Sequence, residues 1–354
     1  MVMDHPWEIV SNNDLFKRSK FAIGPYKREH AIIAGGWDVR GEKLNSVVLL
    51  DLQTGTFKSL PDLPAEYDGC TGANVNGYFY MVGRNDTMYR INLSCCSKWE
   101  KLTAVDFDFG HGHALISDGR HLFWPGGVLN NRTFNLYEPD SNTWKTLPQM
   151  TTPRYGHATA IVGQKIYIIG GADDRNALDL SSVEVFDIPT RTWCSAPDLP
   201  IAVYYPAATT LGRWIVVTGG LYSDERETSY CFVFDTFGRE WIQSRVSLPS
   251  LRYGHGCVTM QDSQIIVVGG SRSRQKGNPI VTISRKHLIP NWYFVKDFLL
   301  LRRLLEEGRA QMKAPIFHSK DGNEIHSTRK FIRALGQFFL TLDLDTFRTV
   351  LSFV

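Results

Sequence analysis

A short motif that ends in two glycines recurs along the chain and constrains its fold more than any other feature. The segments "RYGHATAIVGQKIYIIGG" and "RYGHGCVTMQDSQIIVVGG" end at Gly171 and Gly270, and further pairs end at Gly36, Gly127 and Gly220. Successive second glycines are 91, 44, 49 and 50 residues apart. Because the first interval is about twice the others, it hides a degenerate copy, which "YFYMVGR" with Gly83 supplies. The pattern predicts a protein of six structural repeats.

Each repeat predicts a four-stranded antiparallel sheet. In the fourth copy, "HATAIV" and "KIYIIG" flank a tight turn, and a polar loop leads to "VEVFDI" and to a fourth strand that begins "TWCSAP". The glycines suit places where the backbone bends or packs too closely for a Cβ atom. They are Gly35 and Gly36, Gly83, Gly126 and Gly127, Gly170 and Gly171, Gly219 and Gly220, and Gly269 and Gly270.

A second marker keeps the same register. In each copy, an aromatic residue lies six positions after a residue that is acidic in most copies. We expect the aromatic ring to be a wedge between sheets and the acid to hold a turn by accepting hydrogen bonds from nearby amides. The aromatic residues are Phe57, Trp99, Trp144, Trp193, Trp241 and Trp292, and the residues six positions before them are Asp51, Leu93, Glu138, Asp187, Asp235 and Lys286.

The repeats predict how the whole chain is organised. One four-stranded sheet cannot bury both faces alone, so the sheets must stack, and radial stacking makes a β-propeller. We predict an all-β, six-bladed propeller over residues 20–295, after a lead-in at 1–19 and before a mostly helical tail at 296–354. Both ends of the ring use whole blades in this register, so no strand exchange is expected. The blades are expected near 20–60, 67–102, 111–147, 155–196, 204–245 and 253–295.

The glycine pairs, the acid six residues before tryptophan and the period resemble kelch repeats, which also build the central domain of proteins similar to galactose oxidase. The resemblance implies a kelch-type β-propeller. In the tail, "GNEIHSTRKFI" and "GQFFLTLDLDTFRTVLSFV" resemble parts of the potassium-channel tetramerisation type of BTB domain. That second resemblance implies self-association or docking to a cullin-type ubiquitin ligase. A helical tail without a specific role remains the alternative.

Composition narrows the class of partner. The net charge is +3 over 354 residues and the basic residues are scattered, which argues against nucleic acid. No apolar run approaches a membrane span and no secretion signal is visible, so a cytoplasmic or nuclear location is expected. The six cysteines lack zinc-ribbon spacing and are expected to be free thiols. No cofactor is expected.

The candidate binding face is the mouth of the propeller. Tyrosines and arginines recur near the start of the first strand, and the loops after the glycine pairs are polar and unlike one another, as expected where scaffold constraints relax. We expect this face to bind an acidic or extended segment of a partner protein. The candidate residues are Trp37, Arg40, Tyr67, His111, Arg132, Arg154, Tyr155, Arg175, Tyr204, Arg226, Arg252, Tyr253 and Arg272.

Two other roles were considered for the same repeats. His113, His157 and His255 fall at nearly equal places in their repeats and are expected to be hydrogen-bonded residues of the blades. His111 and His113 could share one face of a strand, but they lack a third ligand for a metal site. A sugar-modifying or small-molecule enzyme is the second alternative, although no catalytic motif or copper-oxidase arrangement stands out. The first alternative is a plain kelch scaffold with an inert tail.

Overall fold

The computed structural model describes residues 6–11, 18–27, 29–83, 87–102, 111–129, 132–173, 178–222, 225–244, 246–260, 263–271 and 279–289. The chain divides into two compact units, Met1–Leu288 and Ile289–Val354. In the first unit, the described residues form six four-stranded antiparallel sheets, named here blades 1 to 6 in chain order. The predicted all-β, six-bladed propeller is confirmed. The tail at 296–354 and its resemblance to a BTB domain lie outside the described residues.

The first three blades follow one pattern, in which each strand pairs with the next one along the chain. Blade 1 contains β2 (Ala22–Tyr26), β3 (His30–Ala34), β4 (Val47–Asp51) and β5 (Phe57–Leu60). Blade 2 contains β6 (Thr71–Val75), β7 (Tyr78–Val82), β8 (Met88–Asn92) and β9 (Trp99–Lys101). Blade 3 contains β10 (Ile116–Ser117), β11 (Leu122–Pro125), β12 (Phe134–Glu138) and β13 (Thr143–Thr146).

Blades 4 and 5 add a small hairpin to the same pattern. Blade 4 contains β14 (Ala158–Val162), β15 (Lys165–Ile169), β18 (Val183–Asp187) and β19 (Thr192–Ala196), with the hairpin β16 (Ala172–Asp173) and β17 (Leu178–Asp179). Blade 5 contains β20 (Ala207–Leu211), β21 (Trp214–Thr218), β24 (Cys231–Asp235) and β25 (Glu240–Gln243), with the hairpin β22 (Leu221–Tyr222) and β23 (Arg226–Glu227).

Blade 6 closes the ring by strand exchange, so the prediction of whole blades at both ends is wrong. It contains β26 (Gly256–Met260), β27 (Gln264–Val268) and β28 (Ile280–Ser284), and its fourth strand is β1 (Glu8–Ser11) from the beginning of the chain. β1 is only four residues long and its pairing with β28 is irregular, so its sequence carries too short a pattern to predict a strand. After β28 the chain enters α1 (Arg285–Leu288), which contains Lys286, and Trp292 lies outside the described residues.

The core lies between neighbouring blades. Apolar clusters join blades 6 and 1, 1 and 2, 2 and 3, 3 and 4, and 4 and 5. The aromatic wedges also donate to the preceding blade. The indole nitrogens of Trp99, Trp193 and Trp241 donate to carbonyl oxygens of Pro61, Pro148 and Pro197 at 2.7–2.8 Å. Each of these rings therefore buries apolar surface and also satisfies a polar atom of the neighbouring blade.

The glycine pairs hold neighbouring blades together. Both glycines of every pair have positive φ, for example 61° at Gly170 and 95° at Gly171, a region that other residues rarely adopt. A Cβ on Gly171 would lie 2.7 Å from the carbonyl oxygen of Tyr155. The Gly171 amide donates to Val203 in blade 5, and the Gly270 amide donates to Arg18 in blade 1, each at 2.8 Å. The pairs are therefore structural, as the repeat pattern predicts.

The turns between the third and fourth strands are held as predicted in three blades. One carboxylate oxygen of Asp51 accepts from the amides of Gln53 and Thr54, and similar bonds run from Thr190 to Asp187 and from Phe237 to Asp235. Glu138 instead accepts from a serine hydroxyl and a lysine ammonium. In blade 2 the side chain of Asn92, not the residue at 93, accepts from the amide of Ser94, because that turn has one extra residue.

Two further expectations concern the whole chain. All six cysteines are free thiols, as predicted. No helix in the described ranges has the length and the apolar character needed to cross a bilayer.

Candidate functional site

The two ends of the propeller carry different connections. At one end, named the loop end, the chain passes from the second to the third strand of a blade and from the fourth strand to the next blade. At the other end, named the turn end, short turns join the first to the second strand and the third to the fourth. A central cavity of about 1030 Å³ is lined by residues of all six innermost strands.

A ring of backbone surrounds the cavity at the loop end. One residue of each blade, which lies two positions before the innermost strand in five blades and four positions before it in blade 3, has a left-handed conformation with φ of 51–70°. Amides and carbonyls link the ring from blade to blade, for example from Tyr205 to Gly156 at 2.6 Å and from Lys20 to Gly254 at 2.7 Å. This set, named the mouth ring, consists of Lys20, Gly69, Gly112, Gly156, Tyr205 and Gly254.

Two side chains of the mouth ring meet over the mouth. Glycine is the usual residue in a left-handed conformation, but blades 1 and 5 have Lys20 and Tyr205 there. The Nζ atom of Lys20 lies 4.2 Å from the centroid of the Tyr205 ring, within the range of a cation–π interaction. Neither residue is among the candidates predicted from the sequence, although the alignment of "RSKF" and "VYYP" with "RYGH" places both at the glycine position.

The residues just before the mouth ring form a second, wider ring. Tyr155, Tyr204 and Tyr253 take equivalent places here, each forming a backbone bridge to the residue that follows its glycine pair. All three are partly exposed. His111 lies at the same position in blade 3, and its ring meets that of Tyr155 edge to face, with centroids 6.3 Å apart. Thus four predicted residues come together at the loop end.

Acidic groups surround Tyr204. Burial raises the pKa of the Tyr204 hydroxyl to about 12, and the carboxylates of Glu225 and Asp179 contribute to the same shift. Asp68 occupies the position of these tyrosines in blade 2 and pairs with Lys43 at 3.2 Å, and the Lys43 ammonium lies 5.8 Å from the centroid of the Trp37 ring.

Arg154 and Arg252 do not lie on the surface of the loop end, which corrects their prediction as partner-binding residues. Both side chains are fully buried inside their own blades. The Arg154 guanidinium donates to the carbonyl oxygens of Gly170 and Ser182 and pairs with Glu184 at 2.8 Å. The sequence missed this role because burying a guanidinium requires several acceptors, which are brought together only by the fold.

The same hydrogen bonds from a buried arginine are present in two other blades. The Arg252 guanidinium donates to the carbonyl oxygens of Gly269 and Pro279, and Arg18 donates to those of Gly35 and Ser46. In each blade the arginine binds the first glycine of the pair and the segment that enters the third strand. These arginines therefore stabilise the loop end from inside and do not add their charge to its surface.

Tyr67 is also buried, at 5% exposure, and does not belong to the tyrosine ring. The sequence alignment matched Gly83 to the second glycine of a pair, but Val82 pairs with Thr71 as Ile169 pairs with Ala158, so Gly83 takes the place of the first glycine. This shift of one residue moves Tyr67 to the position of the buried arginines. Its hydroxyl donates to that of Tyr89 at 3.0 Å.

The other predicted residues lie on the loop end or outside the described residues. Arg40, Arg132 and Arg226 are exposed, and the Nε of Arg132 donates to the carbonyl oxygen of Met150 at 2.9 Å. Arg175 and Arg272 lie outside the described residues.

The three repeated histidines are buried between blades. His255 Nε2 and the hydroxyl of Thr218 are hydrogen-bonded at 2.9 Å, whereas the ring nitrogens of His113 and His157 have no hydrogen-bond partner among the described residues, contrary to expectation. Burial lowers the pKa of each of these histidines to about 3, so they remain neutral near pH 7. Among the described residues, no three histidine, cysteine or carboxylate side chains are arranged to hold a metal ion.

Among the described residues of the loop end, exposed or partly exposed carboxylates outnumber exposed or partly exposed cations. The acidic residues are Asp38, Glu42, Asp62, Glu66, Asp179, Asp198, Glu225 and Glu227, and the basic ones are Lys20, Arg40, Lys43, Arg132 and Arg226.

Exposed apolar side chains gather on the same end. Of the large hydrophobic residues that are exposed in the described ranges, Ile9 lies on the outer edge of blade 6 and Phe237 on the turn end. The rest lie in connections of the loop end, and they are Val39, Leu129, Leu178, Tyr230 and Leu251.

Comparison with known proteins agrees with this architecture. The family described as "KLHDC2/KLHL20/DRC7 Kelch-repeats domain" matches residues 112–286. Kelch-like protein terF of Aspergillus terreus is 24% identical over 303 residues, which cover 77% of this chain and 65% of that protein. F-box/kelch-repeat protein At4g14905 of Arabidopsis thaliana is 28% identical over 173 residues, which cover 45% and 44%.

A third relative, Kelch-like protein 35 of Mus musculus, is 29% identical over 153 residues, which cover 43% of this chain and 26% of that protein. The first relatives are matched over 65%, 44% and 43% of their length, so this chain spans about half of them. The six blades, the glycine pairs, the tryptophan wedges and these matches together identify the described part of this chain as a kelch-repeat β-propeller.

Proposed function

We propose that the propeller binds a partner protein at its loop end and performs no catalysis itself. The observation that carries the proposal is the gathering of exposed apolar side chains there, beside partly exposed tyrosines. Apolar and aromatic groups rimmed by charges are typical of protein interaction surfaces. The variable loops of this end provide such a surface, while the repeated strands provide its support.

The chain offers a matched control for testing this face. Leu129 and Leu178 on the loop end are 56% and 57% exposed, and Phe237 on the turn end is 56% exposed. The test compares Leu129→Ser with Leu178→Ser in one full-length variant against Phe237→Ser in another. Because all three side chains are already largely in water, thermal unfolding should change little.

Partners of each full-length protein are then captured from cell extract and quantified by mass spectrometry. We expect the double leucine variant to lose most of the partners that the unaltered chain retains, and the Phe237 variant to keep them. Equal recovery by all three proteins, or loss with Phe237→Ser alone, would contradict docking at the loop end.

The finer form of the proposal is recognition of a client for a cullin-type ubiquitin ligase. It is supported by the BTB-like segments of the tail and by the names of two relatives, which combine an F-box with kelch repeats. Replacing Phe338 and Phe339 with alanine in the full-length chain should abolish co-capture of a cullin and leave loop-end partners bound. No cullin on the unaltered chain would reduce the function to a kelch scaffold, the first alternative.

A further inference from the structure

The tyrosines of blades 4, 5 and 6 form one aromatic surface at the mouth. The ring of Tyr205 lies 5.5 Å from that of Tyr204 and 6.3 Å from that of Tyr155, measured between centroids, and Tyr253 takes the equivalent position in blade 6. Tyr205 has a φ of 51° and precedes Pro206, a combination that a bulky side chain adopts only at a cost. Such outliers cluster at binding sites, because the surrounding structure holds a side chain where function needs it.

This aromatic surface already holds a cation. The Lys20 ammonium lies 4.2 Å from the centroid of the Tyr205 ring, and the Lys43 ammonium is placed between Trp37 and Asp68 at the same end. Two lysine ammonium groups of the chain thus lie against aromatic rings at the mouth. A ring face that accepts an ammonium from its own chain has the geometry to accept one from another protein.

The charge of the loop end favours the same kind of ligand. The carboxylates of Asp179 and Glu225 act on the Tyr204 hydroxyl, and acidic residues outnumber basic ones among the described residues of this end. The arginines that the sequence placed on this face, Arg154 and Arg252, are inside the blades. Electrostatic complementarity therefore selects a basic partner rather than the acidic one expected from the sequence.

We propose that the loop end recognises a basic segment of the partner protein, and that a lysine or arginine of that segment replaces Lys20 on the ring of Tyr205. This inference rests on the proposed function and adds the chemistry of the partner to it. Lys20 is then an internal substitute for the partner's cation. Binding of the partner releases Lys20 from the ring, so Lys20 lowers the affinity of the site and Tyr205 raises it.

Glycine substitutions separate this role from a structural one. The other four blades have glycine in the mouth ring, so Lys20→Gly and Tyr205→Gly both give the residue that suits the conformation. A structural role would make the two variants behave alike. Under the proposal they act in opposite directions on binding, while their thermal midpoints stay close to that of the unaltered chain. Arg191→Gly is the matched control, because Arg191 is an exposed left-handed residue, with φ of 55°, at the turn end.

The probes are fluorescent nine-residue peptide libraries with a fixed central residue, which is arginine or lysine in two libraries and glutamate or glutamine in the others. Binding to the full-length protein is followed by fluorescence polarisation. We expect the basic libraries to bind best and to weaken as salt rises. Tyr205→Gly should weaken their binding about fivefold, Lys20→Gly should strengthen it about threefold, and Arg191→Gly should leave it unchanged.

Other outcomes overturn the proposal without touching the function on which it rests. Preference for the glutamate library, binding of no library, or the same response to Lys20→Gly and Tyr205→Gly would each refute a cation site on Tyr205. Docking at the loop end is tested separately, by the partners lost when Leu129 and Leu178 are replaced.

Discussion

At the turn end the blades repeat one device, whereas at the loop end neighbouring blades use different connections. In five blades the residue four positions after the end of the third strand is left-handed, as at Gly55, Arg191 and Arg239. At the loop end, blades 4 and 5 carry hairpins, and blade 1 has a twelve-residue connection (35–46) with isolated bridges. The turn-end connections therefore follow one pattern, whereas the loop-end connections vary, as expected for the end that we propose binds a partner.

The loop end has an inner layer of buried side chains that support the blades and an outer layer of exposed loops. Replacing Arg154 tests the boundary between these two layers. Arg154→Ala removes a buried guanidinium and leaves the Glu184 carboxylate, which is 8% exposed, with the amides of Thr151 and Thr152 but without its charged partner. Removing one member of a buried ion pair costs about 3–5 kcal/mol, so we expect a large loss of stability in urea unfolding. Arg226→Ala, at an exposed position of the same end, should change stability by less than about 0.5 kcal/mol.

The opposite result would break the comparison. If Arg154→Ala leaves unfolding unchanged and removes the partner, the arginine belongs to the binding surface, as the sequence suggested. The boundary between the supporting and the binding layer would then have to be moved outward.

The sequence predicted the repeated layer well and the binding layer only in part. Glycine pairs and tryptophans reveal the blades because each place needs a specific residue type, which is kept in most copies. The roles of Arg154 and Tyr67 depend instead on which acceptors surround them, and "RYGH" looks the same whether its arginine is buried or exposed. The mouth ring was missed because Lys20 and Tyr205 replace the glycine that would have revealed the equivalence. β1 was missed because four residues carry too little periodicity.

Acidification should affect the two ends in different pH ranges. His113, His157 and His255 lie near the loop end with pKa values lowered to about 3 by burial, so the unfolded chain binds more protons than the folded one below about pH 6.5. The contribution of these neutral histidines to the free energy of unfolding is complete above that pH and declines as the pH falls. Each histidine contributes a slope of at most about 1.4 kcal/mol per pH unit.

The turn-end carboxylate of Asp51 loses its contribution to stability at a lower pH than the histidines do. Hydrogen bonds from the amide of Thr54 lower the pKa of Asp51, so its contribution is present above the usual aspartate pKa of about 4 and is lost only below it. Urea midpoints measured from pH 7.5 to 4.5 should fall from about pH 6.5 downward. The slope should decrease in His113→Phe, which places in blade 3 the residue type that blade 1 has at Phe21. A flat profile above pH 5 would contradict the neutral, buried state of the histidines.

The smallest effect uses one matched pair within blade 1. One oxygen of Asp51 at the turn end accepts from the amides of Gln53 and Thr54, and one oxygen of Asp38 at the loop end accepts from those of Arg40 and Glu42. Replacing either aspartate with alanine removes two hydrogen bonds from backbone amides to the side chain, and it should lower the thermal midpoint by roughly 2 °C.

Under the proposed function, binding should separate the two variants, because the loop of Asp38 lies on the loop end and that of Asp51 lies on the turn end. We expect Asp38→Ala to weaken capture of the loop-end partners and Asp51→Ala to leave it intact, with unfolding and capture measured on the same full-length preparations. Equal loss of capture would mean that stability, not the position of the turn, controls binding. The difference between the two ends would then be one of connection type only, since each end would affect the partner through the fold they share.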